Sequence, residues 1–225
     1  MRDTETDILY EDENIIVCVK PANVDSEKMA ALLGDKTNRE IFCVHRLDAP
    51  VGGVMAFAKT KLAAGRLSDS IREGEFNKKY LAVVSGEPEY ENGSFEDLLW
   101  HDVRGNKTYV VKRTRRGVRE ARLNYRKIES TNYRGGRISL IEAELITGRS
   151  HQIRVQFASR KLPLWGDGKY GSCINGNIAL FAYRLSFKNP KDGSLICFTV
   201  MPPEVLPWSL FKKSGKLVGT EAYNE

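Results

Sequence analysis

The second half of the chain is dominated by short strand-like segments, and this pattern restricts the fold more than any other feature. From Tyr80 onward, apolar and β-branched residues mark strands at 80–84, 107–112, 121–128, 138–146, 178–187 and 195–200. Only one helical stretch, 150–159, lies among them. A doubly wound parallel fold needs a helix between successive strands. We therefore predict an α+β fold, with a mixed, mainly antiparallel central sheet and a few flanking helices.

The first part of the chain predicts a hairpin over 8–19, a buried strand over 54–58 and two helices. The first helix covers 26–33, with Ser26 as its cap and Gly34 as its terminator. The second covers 60–72 and ends at Gly74. Because no repeat, low-complexity run or flexible linker interrupts the pattern, we expect a single domain over 1–225 with a flexible tail over 212–225.

Composition narrows the class of protein. No apolar stretch approaches the roughly 20 residues that span a bilayer, and the acid-rich start lacks a signal-peptide pattern, so we expect a cytoplasmic protein without membrane contact. The sequence leaves the oligomeric state open, and a monomer is the simplest expectation. The four cysteines form no C-x-x-C pair, and Cys18 and Cys197 stand among apolar residues that indicate buried thiols. We predict no metal site. The net charge of +6 agrees with an acidic partner such as RNA but does not establish one.

A carboxylate stands in an irregular loop at His45-Arg46-Leu47-Asp48, directly before Ala49-Pro50-Val51-Gly52-Gly53. Proline and two glycines impose a non-regular backbone there, and loops held by rigid strands often carry functional groups. Taken alone, the segment fits an aspartate that caps a turn better than a catalytic carboxylate.

A second segment, Thr147-Gly148-Arg149-Ser150-His151-Gln152-Ile153-Arg154, joins a turn to the helix predicted over 150–159. Ser150 or Thr147 would cap this helix, and its first N–H groups together with Arg149 would suit a phosphate. A capped basic helix exposed to solvent explains the same residues equally well.

Two further features are weaker on their own. Tyr80 opens an apolar strand behind Lys78 and Lys79, where most tyrosines only line the edge of a core. The basic residues of 104–122, with Tyr109 among them, fit a solvated hairpin or an arm that faces RNA equally well.

Together these segments resemble the RluA-type RNA pseudouridine synthases. The resemblance rests on 45–48 with Gly53, on Lys79-Tyr80 and on 148–155, and it extends to Lys20-Pro21-Ala22, Gly166-Asp167, Tyr170-Gly171 and 180–185. It implies a pseudouridine synthase fold and the conversion of specific uridines in ribosomal or transfer RNA to pseudouridine without a cofactor. The chain departs from the family's common residues at 51–52, 150, 156 and 181, which leaves the RNA target open. No S4 domain is expected before the catalytic pattern.

The resemblance also implies a role for individual residues. Asp48 would be the essential carboxylate, acting as nucleophile or base at the ribose, and Arg154 would pair with it. Tyr80 would stack on the target base and help remove its C5 proton. The substrate-binding residues would be Arg46, which holds the flipped-out RNA, Ile153, which lines the apolar side of the pocket, and Arg149 and Lys78, which contact phosphate.

Two other classes of protein compete with this interpretation. A non-catalytic RNA-binding or ribosome-assembly protein would account for the basic arm, but gives no reason for Asp48, Tyr80 and Arg154 to occur together. A hydrolytic glycosidase would need paired carboxylates, whereas the Asp48 loop supplies one acid among basic segments.

Overall fold

The computed structural model describes residues 7–212, and these form two compact units that are described separately below. Unit 1 consists of 7–78 and Phe181–Val200; unit 2 consists of Lys79–Leu180 and 201–212. The tail predicted over 212–225 lies, from 213 onward, outside the described residues. The single catalytic domain expected over 1–225 stays a prediction.

Strands outnumber helices throughout the described residues. The strands are β1 (Ile8–Glu11), β2 (Ile15–Lys20), β3 (Phe42–Cys43), β4 (Gly52–Ala58), β5 (Asn77–Ser85), β6 (Asn92–Asp102), β7 (Lys107–Val111), β8 (Val118–Tyr133), β9 (Gly136–Leu145), β10 (Leu180–Lys188) and β11 (Leu195–Thr199). The helices are α1 (Ser26–Thr37), α2 (Lys61–Glu73) and α3 (Gln152–Ala158), with short 3-10 helices at Gly168–Tyr170 and Trp208–Leu210.

In unit 1 the strands are arranged around β4. This strand pairs antiparallel with β2 and β3 and parallel with β10, while β1 pairs with β2 and β11 with β10. All seven residues of β4 are buried. On one side α2 packs Ala63 and Leu67 into a core with Ile15, Val54 and Phe187. The loop that carries Asp48 enters this buried strand directly.

Unit 2 is an antiparallel sheet with the strand order β5-β9-β8-β6-β7. The short helix α3 covers one face of it. Phe157 of α3 makes edge contacts with the rings of Phe95 and Tyr125, at 5.0 and 5.8 Å between centroids. The α+β class with a mixed, mainly antiparallel arrangement of strands is therefore confirmed, since the β4–β10 pair is parallel and the other named pairs are antiparallel.

The ends of α1 differ from the prediction. Asp25, not Ser26, is the cap, and its carboxylate accepts a hydrogen bond from Glu27 N at 2.9 Å. The helix continues through Gly34 and ends at Asn38, whose φ of 52° lies in the left-handed region. Ser26 is fully buried and serves the Asp48 loop instead, as described below.

The strand β6 was missed by the sequence analysis. Its burial explains why, because only Phe95 and Leu99 are buried and they stand four residues apart. A strand with one covered face normally alternates every second residue. Acidic Glu96 and Asp97 in the middle of the segment hide the pattern further.

The cysteines are free thiols, and Cys18 is buried as predicted. Cys197 was predicted to be buried but is exposed. It lies on β11, whose residues alternate between exposed and partly buried, so the apolar neighbours of Cys197 do not mark a core strand. Among the residues from 7 to 212, no helix combines the length and apolar character needed to cross a membrane.

Candidate functional site

The loop that carries Asp48 is held by hydrogen bonds from a buried lysine. Lys20, at the end of β2, is 0% exposed, and its ammonium donates hydrogen bonds to the carbonyl oxygens of Pro21, Val24 and Ala49 at 2.9, 2.7 and 3.3 Å. Burial lowers the pKa of Lys20 to about 8, against the opposing effect of the Asp25 and Asp48 charges. One side chain thus ties the residue after Asp48 to the segment that precedes α1.

Ser26 and a tight turn hold the other side of the same loop. The Ser26 hydroxyl donates to Leu47 O at 3.0 Å and accepts from Leu47 N at 3.1 Å. Val51 N donates to Asp48 O at 2.9 Å, which closes a turn, and Leu47 and Val51 are both buried. Asp48 itself is partly buried. The backbone on both sides of Asp48 is therefore held in place.

Gly53 is required by the close approach of β10. A Cβ built on Gly53 would lie 2.3 Å from Ala182 O, and the φ of Gly53 is +133°. Any side chain would push the two strands apart or strain the backbone. The glycine therefore fixes where β4 begins relative to the Asp48 loop.

The remaining predicted residues of unit 1 differ in exposure. Arg46 is exposed. Lys78 is partly buried, with its ammonium 5.1 Å from the centroid of the Phe76 ring, and burial lowers its pKa to about 8. His45 is buried against Phe76 at 4.9 Å between centroids, and its Nε2 accepts a hydrogen bond from Ala56 N at 3.1 Å.

We predict that His45 makes the protein acid-sensitive. Burial, and then the charge of Lys78, hold the pKa of His45 well below its ordinary value of 6.5, so the folded protein keeps this ring neutral. The unfolded chain binds the proton as the pH falls through 6.5, and stability is lost below that pH by up to about 1.4 kcal/mol per unit. Denaturant unfolding of wild type and His45→Gln between pH 5 and 8 measures this; parallel curves would contradict it.

A second prediction concerns the three hydrogen bonds that the Lys20 ammonium group donates. Lys20→Met removes the donor of three part-buried hydrogen bonds to carbonyl oxygens, and we expect the free energy of unfolding to fall by about 2–4 kcal/mol. Because the folded pKa of Lys20 is about 8 and its ordinary value 10.5, wild type gains stability as the pH rises between these values. In alkaline unfolding experiments the variant should lose the part of the gain that Lys20 contributes, while Lys78, whose pKa is also about 8, keeps its own part. Lys28→Met, at an exposed position of α1, is the control and should leave the gain intact.

In unit 2, the side chain of Arg154 in α3 is held by Asp167. Its Nε and Nη2 donate to Oδ2 and Oδ1 of Asp167 at 2.7 and 2.8 Å, with 4% and 1% of the two side chains exposed. This two-point contact fixes the plane of the guanidinium group. The Arg154 Cζ also lies 5.1 Å from the centroid of the Tyr170 ring. The predicted pairing of Arg154 with Asp48 stays a prediction.

The start of α3 differs from the one that the sequence predicted. The helix has only seven residues, and neither Ser150 nor Thr147 caps it. Instead, Gln152 Oε1 accepts hydrogen bonds from Arg149 N at 3.0 Å and from Thr147 Oγ1 at 2.8 Å. The predicted cap by Ser150 or Thr147 is therefore wrong, while the predicted phosphate contact stays a prediction. Arg149 is exposed, and its Nε donates to Glu120 O at 2.9 Å.

Tyr80 and the residues of α3 lie on the same face of the sheet in unit 2. Tyr80 is paired with Ala143, which is also paired with Tyr125, so these three side chains project on one side. The helix α3 covers that side, because the ring of its residue Phe157 contacts the ring of Tyr125. Tyr80 and Ile153 are buried, with 5% and 4% exposed. The structure therefore brings Tyr80, Ile153 and Arg154 to one face of unit 2.

The sequence analysis missed the residues that position these groups. Lys20 and Asp167 were quoted only as parts of flanking motifs, and Ser26 was assigned to a helix cap. The one signal for them was a charged residue inside an otherwise apolar or glycine-rich stretch, at Lys20 after 15–19 and at Asp167 after Gly166. Within 7–212, no group of three or more His, Cys, Asp or Glu side chains is arranged to hold a metal ion.

Comparison with known proteins gives a consistent match over most of the chain. The model of a family described as RNA pseudouridylate synthase matches residues 14–159. The protein slr1629 of Synechocystis, named an RNA pseudouridine synthase, is 33% identical over 84% of this chain and 63% of its own length. The tRNA pseudouridine synthase C of Haemophilus ducreyi is 32% identical over 83% of this chain and 87% of its own length.

A ribosomal relative and a solved structure complete the comparison. The ribosomal large subunit pseudouridine synthase D of Neisseria meningitidis is 32% identical over 88% of this chain and 58% of its own length. The chain thus spans about three fifths of the length of two of these relatives, at 58% and 63%. The solved structure of human RNA Pseudouridylate Synthase Domain Containing 1 has the same fold, with a TM-score of 0.76, 22% identity and coverage of 90% of this chain and 85% of its own.

Proposed function

Since the chain belongs to the RNA pseudouridylate synthase family, of the RluA type, we propose that it converts specific uridines in structured RNA to pseudouridine with Asp48 as the catalytic carboxylate. In this isomerisation the bond from uridine N1 to the ribose breaks, the base turns, and C5 bonds to the ribose instead. The C5 proton leaves and N1 gains one, so no atom is supplied by a cofactor.

The observation that carries the proposal is the fixed backbone of the Asp48 loop. Lys20 and Ser26 hold the residues on both sides of Asp48, and the carboxylate is partly buried. A group that acts on a ribose must be held in place before the substrate arrives, because small displacements cost large factors in rate. The same features support an aspartate that is positioned for chemistry over one that only closes a turn.

Unit 2 would supply the remaining groups. We assign Arg154 as the cation that pairs with Asp48, supported by its burial and by the fixed plane that Asp167 gives its guanidinium group. Tyr80 would stack on the target base and help remove the C5 proton, and Ile153 would form the apolar wall beside it. Their common face in unit 2 supports this assignment.

RNA contacts would offset the cost of exposing the target base. Extruding a base from a helix costs a few kcal/mol, and contacts from Arg46, Arg149 and Lys78 to the RNA would supply that energy. Arg46 and Arg149 are exposed, which supports the role for both. Binding should weaken as salt rises, since phosphate contacts release counterions.

The RNA is proposed to be ribosomal or transfer RNA, as the names of the relatives indicate, and the protein to act as a cytoplasmic monomer. Release of tritium from RNA labelled at uridine C5 tests the reaction on the purified protein. Mapping the pseudouridines lost from total RNA after gene deletion identifies the target. If purified protein binds RNA but releases no tritium from total RNA of the deletion strain, the alternative of a non-catalytic RNA-binding protein is supported instead.

A further inference from the structure

The hairpin formed by β6 and β7, together with the loop that leads to β8, carries a concentrated positive charge. Between Asp102 and Glu120 the chain contains seven basic residues and no acidic one; they are Arg104, Lys107, Lys112, Arg113, Arg115, Arg116 and Arg119. Except for Lys107, which is partly buried, all are exposed. None of them forms an ion pair with another residue of the described chain. We call 100–119 the basic hairpin.

Two aromatic rings lie side by side on the outer face of the basic hairpin. Trp100 and Tyr109 are register partners, with ring centroids 6.0 Å apart and planes 28° apart. Their neighbours Leu99 and Val110 pack with Val155 of α3. Because side chains alternate along a strand, Trp100 and Tyr109 project away from that core. Tyr109 is 41% exposed, so its ring is open to a ligand.

A basic side chain lies close to each of the two rings. Arg115 Cζ lies 4.5 Å from the centroid of the Trp100 ring, and Lys107 Nζ lies 5.7 Å from that of Tyr109. An exposed ring next to cations can stack with a base while the cations neutralise adjacent phosphates. An A-form duplex cannot use such a surface, because its bases are stacked inside and its major groove is too narrow for side chains. An acidic peptide would use the charges but not the rings.

From this arrangement we propose that the basic hairpin binds an unpaired nucleotide of the RNA substrate, with its base stacked on Tyr109 beside Trp100. The flanking phosphates contact Arg113 and Arg115. This inference rests on the proposed function, because it assigns the hairpin to the same RNA, and it adds a binding site separate from the target uridine.

The inner face of the hairpin connects this site to α3. Thr108 Oγ1 donates to Ser150 O at 2.8 Å, and Thr108 N donates to the Tyr170 hydroxyl at 2.8 Å. The same hydroxyl is 2.9 Å from His151 Nδ1. His151 and Ser150 directly precede α3, on which Arg154 lies. A nucleotide on the outer face is therefore held at a fixed distance from Arg154 within unit 2.

Binding of three defined RNAs to the full-length protein tests the site. The probes are a fluorescently labelled 12-nucleotide oligouridylate, the same oligomer with abasic central positions, and a 12-base-pair RNA duplex. For Tyr109→Ala we expect binding of the oligouridylate to weaken by about fivefold or more, with no change for the abasic oligomer or the duplex. Tyr109→Phe keeps the ring and should bind as wild type does. Tyr90→Ala, at a ring that is 64% exposed elsewhere in unit 2, is the matched control.

The other outcomes overturn the proposal. Equal binding of oligouridylate by Tyr109→Ala and Tyr90→Ala would exclude stacking on the hairpin. If the abasic oligomer binds wild type as tightly as oligouridylate does, and Arg113→Ala lowers the salt slope by about 0.7, the hairpin contacts phosphates only. A dependence on Tyr109 with phosphatidylserine vesicles but not with RNA would assign it to a membrane. Since none of these measurements needs turnover, failure of pseudouridine formation is recorded separately by tritium release.

Discussion

Replacing Asp48 by asparagine should lower pseudouridine formation by roughly 10⁴-fold or more, while RNA binding stays within about twofold of wild type. Asparagine has nearly the shape of aspartate but can neither attack a ribose carbon nor accept its proton. The loop around it is held by Lys20 and Ser26 through backbone atoms, so the substitution leaves the fold in place. Tritium release and RNA binding, measured on the same preparation, separate the two effects.

Asp35→Asn is the matched control for this experiment. Asp35 is exposed on α1, so the same chemical change there should affect neither turnover nor binding. Turnover retained in a clean preparation of Asp48→Ala would refute the assignment of Asp48. Loss of RNA binding together with turnover in Asp48→Asn would instead indicate that the carboxylate has a structural role.

Removing the partner of Arg154 is the second change with a large expected effect. Asp167→Asn places an amide N–H₂ group against a guanidinium group that is 4% exposed. Breaking a buried ion pair from one side costs about 3–5 kcal/mol of the free energy of unfolding. A shifted Arg154 should also lower turnover by about a hundredfold, as displaced catalytic groups do. Denaturant unfolding and tritium release measure the two effects.

Two further variants show whether lost activity follows from lost stability. Glu75→Gln breaks the surface pair with Lys188, whose side chains are 40% and 56% exposed, and should change stability by less than about 1 kcal/mol. The double variant Arg154→Met with Asp167→Leu replaces the buried pair by apolar groups and should regain most of the stability while staying inactive. A double variant that is both stable and active would show that Arg154 is not needed for the reaction.

The sequence predicted the general fold because its strands carry local signals. Segments such as 138–146 are rich in apolar residues, and β9 lies at Gly136–Leu145. The strand β6 carries no such signal, since its buried residues stand four positions apart. The predicted ends of the helices were wrong for a related reason. Ser26 has the chemistry of a cap, but its hydroxyl is used 21 residues away by Leu47, and no local rule detects a partner at that distance.

In the candidate site, too, some residues carry a local sequence signal and others depend on partners that are distant in the sequence. Asp48, Tyr80 and Arg154 could be predicted as site residues because they stand in recognisable motifs, and that assignment stays a prediction. The residues that support Asp48 and Arg154 are joined to them only by the fold. Lys20 bonds to Ala49 across 29 positions, and Arg154 to Asp167 across 13. A buried lysine or aspartate costs free energy unless it is paired. A charged residue inside an apolar stretch therefore predicts a partner without saying where it is.

The buried Lys20 ammonium group also offers a way to measure how often the Asp48 loop opens. The Lys20 ammonium group is 0% exposed, so acylating reagents cannot reach it while the loop is closed. Acylation at this position then requires the loop to open, so its rate counts openings. Peptide mass spectrometry of Lys20 during a timed exposure to acetic anhydride would give the frequency of this motion, and a bound RNA that slows it would be contacting the loop itself.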